Sequence, residues 1–300
     1  MRCNAWARAE GVDPIGSAGS YLGFLLIEIP LPWPRDINEV PEVAGLADLL
    51  DGRHLRVQAV VPDTGLRRVV AHIGSRSEGN RFSGFVRREA VVVGGDLRAA
   101  VAAALDEPGS GAGATDRDGR DLLVCTHGKR DVCCGSLGTD LAVRTRALDL
   151  PDGVRRWRTS HTGGHRFAPT LVVLPEATAW AFADLDLVSR VLWRRGAAAD
   201  VADRYRGCAG LRGPRVQALE REVLRIIGWD LFDRPRAGQE LGDGLVEMQV
   251  DNPDGTTDRW RAAVTPGRIL PVPDCMHPIG EAKKSETEWV VRDFSLVSPP

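Results

Sequence analysis

Residues 121–135 have the sequence Asp-Leu-Leu-Val-Cys-Thr-His-Gly-Lys-Arg-Asp-Val-Cys-Cys-Gly, and residues 161–165 are His-Thr-Gly-Gly-His. The apolar run Asp121–Cys125 predicts a short buried strand that ends in a loop. A helix is predicted near Leu137–Arg146, and a second strand over Val154–Arg158. Two strands joined through a helix form a βα unit with parallel strands. The sequence therefore predicts an α/β unit in which Cys125 and His161 follow successive strands.

The residues after this unit continue the same pattern. Thr170–Leu174 and Thr178–Phe182 predict a hairpin across Pro175-Glu-Ala177, and Leu185–Arg194 predicts an amphipathic helix. This order of elements is similar to the small α/β arrangement of thioredoxin-like domains. We therefore expect a thioredoxin-like domain over residues 118–205.

The flanking regions predict an α+β protein overall, with a mixed N-terminal domain over residues 1–110 and a C-terminal extension over residues 206–300. In the first region the pattern predicts strands at Leu22–Ile29, Leu55–Val61, Leu66–Ile73 and Phe82–Val93, and a helix over Asp96–Leu105 with Asp96 as its N-cap. Glu107–Asp116, rich in Gly, Ser and Pro residues, is interpreted as a linker or a mobile loop. The last region predicts a helix over Pro214–Ile227, a hairpin of Gly244–Val250 and Arg259–Thr265, and a strand over Glu288–Leu296.

Composition restricts the classes of partner. The 39 basic and 41 acidic residues nearly cancel, so we expect neither nucleic acid nor an anionic membrane surface as a partner. The apolar run Tyr21–Ile29 is interrupted by Glu28 and is too short to span a membrane. The N-terminus lacks the apolar stretch of a secretory signal, which predicts a cytoplasmic protein. In that compartment six cysteines indicate metal ligands, redox thiols or core residues before disulfides.

The spacing of the thiols limits the kind of metal site. Eight residues separate Cys125 from Cys134, whereas structural zinc sites usually place two to four residues between paired cysteines. A wide loop suits a larger object such as a [2Fe–2S] cluster, in which each iron takes two protein ligands. Between the two histidines, Gly163 and Gly164 would each cost a helix about 1 kcal/mol relative to alanine, so this segment is predicted to be a loop.

Taken together, the two motifs resemble those of the sucrase/ferredoxin-like family. The resemblance rests on Cys125-x8-Cys134-Gly135, with Arg130-Asp131 inside it, followed by His161-x-Gly-Gly-His165-Arg-Phe-Ala168. Members of this family are thioredoxin-like ferredoxins in which an HxxxH pair replaces the CxxxC of related ferredoxins. The resemblance implies that Cys125, Cys134, His161 and His165 ligate one [2Fe–2S] cluster.

The same resemblance implies a function. With a cluster held by two cysteines and two histidines, we expect this protein to be an electron carrier, rather than a stand-alone enzyme, that passes single electrons between a reductase and an acceptor. Neutral imidazoles add less negative charge than thiolates, so we expect a potential above that of four-cysteine clusters. Cys133 adds a second thiol beside Cys134; the spacing and the following Gly135 favour Cys134 as the ligand.

Two other functions remain open at this point. One is a thiol oxidoreductase of thioredoxin type that uses Cys133 with Cys134 or Cys125, although no CxxC is present. The other is a binding module stabilised by structural zinc. Outside the two motifs, Cys3 and Cys208 have no partner that the sequence identifies, and nothing near Cys275 and His277 completes a metal site. Within the cysteine loop we expect His127 to hydrogen-bond the loop, and Arg130 and Asp131 to form an ion pair.

Overall fold

A computed structural model describes residues 1–63, 65–77, 81–105, 115–116 and 118–297. Its seven α-helices within these residues are α1 Cys3–Ala9, α2 Pro41–Ala44, α3 Ala47–Leu50, α4 Leu97–Leu105, α5 Thr139–Arg144, α6 Leu185–Trp193 and α7 Pro214–Ile227. The helix predicted at Pro214–Ile227 is confirmed at both ends. The Asp96 N-cap is also confirmed, because its carboxylate accepts a hydrogen bond from the backbone N–H of Ala99 at 2.9 Å.

The same described residues contain fourteen strands. They are β1 Gly23–Glu28, β2 Leu55–Val60, β3 Arg68–Ser77, β4 Arg81–Val91, β5 Thr115–Asp116, β6 Arg120–Cys125, β7 Val154–Thr159, β8 Leu171–Leu174, β9 Thr178–Trp180, β10 Tyr205–Cys208, β11 Arg236–Gly242, β12 Leu245–Asp251, β13 Thr257–Pro271 and β14 Ser285–Val297. Each predicted strand overlaps one of them. The linker predicted at Glu107–Asp116 lies outside the described residues, apart from the two that form β5.

All the strands belong to one mixed sheet, so the α+β class is confirmed. The order along the sheet is β10-β9-β8-β6-β7-β2-β1-β3-β4-β11-β12-β13-β14, and β5 pairs with β4. Strands β6 and β7 are parallel, and α5 lies between them in the chain, as the predicted βα unit requires. The hairpin of β8 and β9 is antiparallel, and β8 pairs with the other edge of β6.

The sheet contains the same arrangement twice. In the first half β1 is parallel to β2 and antiparallel to β3, β3 pairs with β4, and α4 follows. In the second half β6 is parallel to β7 and antiparallel to β8, β8 pairs with β9, and α6 follows. The halves meet where β2 pairs with β7 in antiparallel fashion, at Val60 and Thr159. No repeat is visible in the sequence, and only the second half carries the cysteine and histidine motifs.

The three predicted domains contribute strands to this one sheet. Strand β2 of residues 1–110 pairs with β7 of residues 118–205, and β4 pairs with β11 of residues 206–300. The boundaries between the three regions stay predictions.

Apolar cores on both faces of the sheet explain the continuous apolar run Phe24–Ile27 in β1. Phe24 and Leu26 pack in a core with residues of α6 and α7, whereas Leu25 and Ile27 pack in a second core with residues of α2 and α4. A strand covered on both faces has no polar face, which produces a continuous apolar run in place of alternation.

Two buried carboxylates of the larger core each accept three hydrogen bonds. The buried carboxylate of Asp121 accepts hydrogen bonds from His72 Nε2, Arg87 Nε and Trp157 Nε1, each at 2.7 Å. Near α7, the carboxylate of Glu220 accepts from Arg236 Nε at 2.8 Å, from Tyr205 Oη at 3.0 Å and from the Cys208 backbone N–H at 3.1 Å. Removing one partner of such a pair is expected to destabilise the fold strongly, because the remaining charge would be buried without a partner.

Within the described residues, no helix is both long enough and apolar enough to cross a membrane.

Candidate metal centre

The parallel pairing of β6 and β7 brings the two sequence motifs together. Cys125, the last residue of β6, is in register with Thr159, the last residue of β7. Because parallel strands end at the same edge of a sheet, the cysteine loop and the histidine loop leave the sheet side by side. His161 therefore lies next to Cys125 although 35 residues separate them in the chain.

A tightly packed turn places Cys134 beside Cys125, at the end of β6. The turn Cys134–Gly138 is a single π-helical turn that leads into α5, so the helical segment begins before the predicted Leu137. A Cβ at Gly138 would collide with the carbonyl oxygen of Cys125, and one at Gly135 would lie 2.5 Å from the Cα of Gly128. Only glycine allows the turn to approach the end of β6 this closely.

Three of the four predicted ligands form one group, the Cys125 group, made of Cys125, Cys134 and His161. Their ligand atoms all lie within 4.8 Å of one another. His161 Nδ1 is 3.9 Å from Cys125 Sγ and 4.0 Å from Cys134 Sγ. Both thiols are fully buried. Two sulfur atoms and an imidazole form a donor set suited to zinc, copper or iron–sulfur chemistry.

The pKa values of the two thiols are shifted in opposite directions. The hydrogen bond from Cys134 and the neighbouring His161 hold the pKa of Cys125 well below its ordinary value, against the effect of burial. The same hydrogen bond, together with burial, raises the pKa of Cys134 well above its ordinary value. One thiolate at this position is therefore stabilised before any metal binds.

His165, the fourth predicted ligand, lies beside the Cys125 group but outside it. Its ring centre is 5.7 Å from that of His161. Its Nδ1 is 3.4 Å from Asp131 Oδ2 and 3.7 Å from Cys3 Sγ. Burial lowers the pKa of His165, while the Asp131 carboxylate acts in the opposite direction. Its side chain is 14% exposed.

The histidine segment is a loop, as predicted, and one of its glycines accommodates a buried arginine. Gly164 has φ +64°, and a Cβ there would lie 2.6 Å from the Arg206 guanidinium. Arg206 donates hydrogen bonds to the carbonyl oxygens of Gly163 at 3.2 Å and Ser17 at 2.7 Å. No motif pointed to Arg206, because its partners are two backbone carbonyls and the Ser17 hydroxyl, which lie in distant segments.

The His127 ring forms hydrogen bonds outside the cysteine loop that was its expected partner, and so links that loop to the histidine loop. Its Nδ1 accepts a hydrogen bond from the backbone N–H of His161 at 3.3 Å, so its Nε2 carries the proton and donates to the Pro34 carbonyl oxygen at 2.7 Å. The ring therefore fixes the backbone of a predicted ligand without itself joining the Cys125 group.

The expected ion pair between Arg130 and Asp131 is wrong. The Asp131 carboxylate is fully buried and accepts hydrogen bonds from the backbone N–H groups of Cys133 at 2.8 Å and Cys275 at 2.9 Å. The expectation that nothing completes a site near Cys275 is also wrong. Cys275 meets Cys3 and Cys133, whereas His277 turns away and contacts Asp274. Cys3 and Cys275 stand 272 residues apart, so no local spacing could have paired them.

Comparison with known proteins agrees with the family that the motifs indicate. Residues 14–207 match the model of the sucrase/ferredoxin-like family. The match covers more than half of the chain, and this protein therefore belongs to that family. No match to the chain is found among curated proteins or among solved structures.

Proposed function

We propose that this protein is an electron carrier that binds one [2Fe–2S] cluster through Cys125, Cys134, His161 and His165. The observation that carries the proposal is the convergence of Cys125, Cys134 and His161 at one end of a parallel strand pair, with His165 alongside. Family membership and the strand order β7-β6-β8-β9 also support it, together with the thioredoxin-like interpretation of residues 118–205.

The residues present fit such a cluster by their chemistry. Two thiols supply the sulfur ligands that iron–sulfur clusters require, and two imidazoles supply neutral nitrogen ligands. Histidine ligation of this kind in Rieske centres accompanies potentials of roughly −150 to +300 mV, compared with about −400 mV for plant-type four-cysteine clusters. The buried thiols exclude water from the sulfur side of the site, and His127 positions the backbone of His161.

The histidine side of the site is where a redox partner would approach. His161 lines a cleft of about 450 Å³ with Arg35 and Arg130, and a second cleft of about 310 Å³ with His165 and Lys283. Because both thiols are buried and both imidazoles reach these clefts, an electron would enter or leave through the histidines. We expect a reductase and an acceptor protein to dock here in turn, in the cytoplasm.

A visible absorption spectrum of the anaerobically purified full chain tests this function. We expect a brown protein with sulfur-to-iron charge-transfer bands, and about two irons and two sulfides per chain. The reduced protein should give the electron paramagnetic resonance signal of a one-electron-reduced cluster. A colourless protein without iron would refute the proposal, and the zinc module or the thiol oxidoreductase would replace it.

Gly138→Ala should lower the iron content by about tenfold or more, because moving a residue that orients metal ligands costs on that order in affinity. The added Cβ collides with the Cys125 carbonyl oxygen and must displace either the Cys134 turn or the end of β6. Iron and sulfide analysis measures the effect. Gly128→Ala is the matched control, since its Cβ would meet only the Gly135 Cα, at 3.4 Å. Equal iron in the two variants would contradict this account of the turn.

A further inference from the structure

A second set of side chains with metal-binding chemistry lies next to the Cys125 group. We call Cys3, Asp131, Cys133 and Cys275 the Cys3 group; their ligand atoms all lie within 4.8 Å of one another. The sulfur of Cys3 is 3.7 Å from that of Cys133 and 3.4 Å from that of Cys275, and the last two sulfurs are 3.2 Å apart. The Asp131 oxygens lie 3.6 and 3.7 Å from Cys3 Sγ.

The group is assembled from three distant parts of the chain. Cys3 begins α1, Asp131 and Cys133 belong to the loop between β6 and α5, and Cys275 lies between β13 and β14. Cys133 and Cys134 are adjacent in sequence, but Cys134 faces the Cys125 group and Cys133 faces the Cys3 group. The two neighbouring thiols therefore belong to different groups of candidate metal ligands.

Burial makes this concentration of acidic groups unusual without a cation. Cys3, Cys133 and Asp131 are buried, and Cys275 is half-buried. The Asp131 carboxylate has two backbone N–H donors, the Cys3 thiol and the His165 ring near it, and no Lys or Arg side chain of the described residues pairs with it. Buried charges are paired or bound to a metal in folded proteins. A disulfide could join only two of the three sulfurs and would leave the carboxylate as it is.

The distances match those required by a tetrahedral zinc ion. With Zn–S bonds of about 2.3 Å, sulfur ligands lie about 3.8 Å apart, and with a Zn–O bond of about 2.1 Å a carboxylate oxygen lies about 3.6 Å from each sulfur. The sulfur separations of 3.2 to 3.7 Å and the sulfur–oxygen separation of 3.6 Å are therefore within a small adjustment of that geometry. We propose that Cys3, Cys133, Cys275 and Asp131 form a structural zinc site, separate from the Cys125 group.

A zinc ion here would fasten both ends of the chain over the cysteine loop. It would tie α1 and the β13–β14 connection to the segment that carries Cys133, and it would cover the side of His165 that faces Cys3. Four protein ligands leave no open position, which is the arrangement of structural rather than catalytic zinc. The site does not depend on the proposed cluster, because none of its four ligands belongs to the Cys125 group.

Metal analysis of the full chain and four serine variants tests the site. We expect one zinc per chain in the wild type after treatment with a weak chelator. Cys3→Ser and Cys275→Ser should each lower zinc by about tenfold or more and leave the iron content unchanged. Cys134→Ser should lose iron and keep zinc. Cys208→Ser is the matched control, because that thiol contacts Glu176 and Gly210 and neither group, and it should keep both metals.

Cobalt addition to metal-free Cys134→Ser gives a second readout that needs no cluster. We expect thiolate-to-cobalt charge-transfer bands and the visible bands of tetrahedral Co²⁺, both absent from the double variant Cys134→Ser with Cys275→Ser. A wild type without zinc, or one whose Cys133 and Cys275 are joined by a disulfide, would overturn the proposal. Zinc that persists in Cys275→Ser and disappears in Cys134→Ser would also overturn it, because the ion would then occupy the Cys125 group. A colourless protein whose zinc depends on Cys3 and Cys275 would refute the cluster and leave the zinc site standing.

Discussion

Cys134→Ser is expected to abolish the visible absorption of the cluster, whereas Cys133→Ser is expected to keep it. The two residues are adjacent, both are fully buried and both carry the same side chain, so the direction in which each side chain points decides which group it joins. Cys134 Sγ lies 4.0 Å from His161 Nδ1, and Cys133 Sγ lies 3.2 Å from Cys275 Sγ. A serine oxygen replaces a soft thiolate poorly as an iron ligand, so iron content should fall by about tenfold or more only at position 134.

The pair of variants separates two questions in one experiment. Both are purified anaerobically, and their absorption spectra, iron, sulfide and zinc are compared with those of the wild type. If the second site exists, Cys133→Ser retains iron and loses zinc, the opposite of Cys134→Ser. A colourless Cys133→Ser beside a brown Cys134→Ser would reverse the ligand assignment, since the cluster would then be held by the thiol that faces Cys3.

Asp121→Ala should lower the free energy of unfolding by about 3–5 kcal/mol, which is the usual cost of breaking a buried ion pair by removing one partner. The substitution leaves His72, Arg87 and Trp157 without the carboxylate to which all three donate. Because Asp121 lies on β6, the loss also loosens the strand that ends at Cys125. Urea denaturation measures the change. Asp48→Ala removes an exposed partner of Arg98 and should change the stability little.

The same carboxylate should make stability depend on pH in the acid range. Burial opposes the charged form of Asp121, but hydrogen bonds and charges from His72 and Arg87 outweigh it and hold its pKa well below the usual range. A carboxyl group whose pKa is lower in the folded protein stabilises the fold above its unfolded pKa of about 3.9 and loses that contribution as the pH falls below it. At pH values below about 4, the urea concentration at the unfolding midpoint should therefore decrease more steeply with falling pH for the wild type than for Asp121→Ala. Parallel curves for the two proteins would contradict this.

Local patterns in the sequence predicted most of the secondary structure, because they depend on short-range rules. The apolar runs ending at Ile29 and Cys125 predicted buried strands, and proline at the start of Pro214–Ile227 predicted a helix that is confirmed at both ends. Strand β11 and helix α1 were not predicted. Strand β11 becomes exposed towards Gly242, and α1 is only seven residues long, so neither segment shows a clear periodic pattern of apolar residues.

The sequence by itself determined the residue types of the candidate centre, its membership in one family and the βα unit that carries both motifs. It could do so because spacing, glycines and apolar runs act within a few residues of one another. The tertiary structure alone decided which way Cys133 and Cys134 face, and that Cys3 and Cys275 meet beside Asp131. It also revealed the repeated strand order, whose two halves share a topology and no motif. The meeting of Cys3 and Cys275 joins residues 272 positions apart, because α1 and the β13–β14 connection both pack against the cysteine loop. No local pattern in the sequence encodes a contact over such a distance.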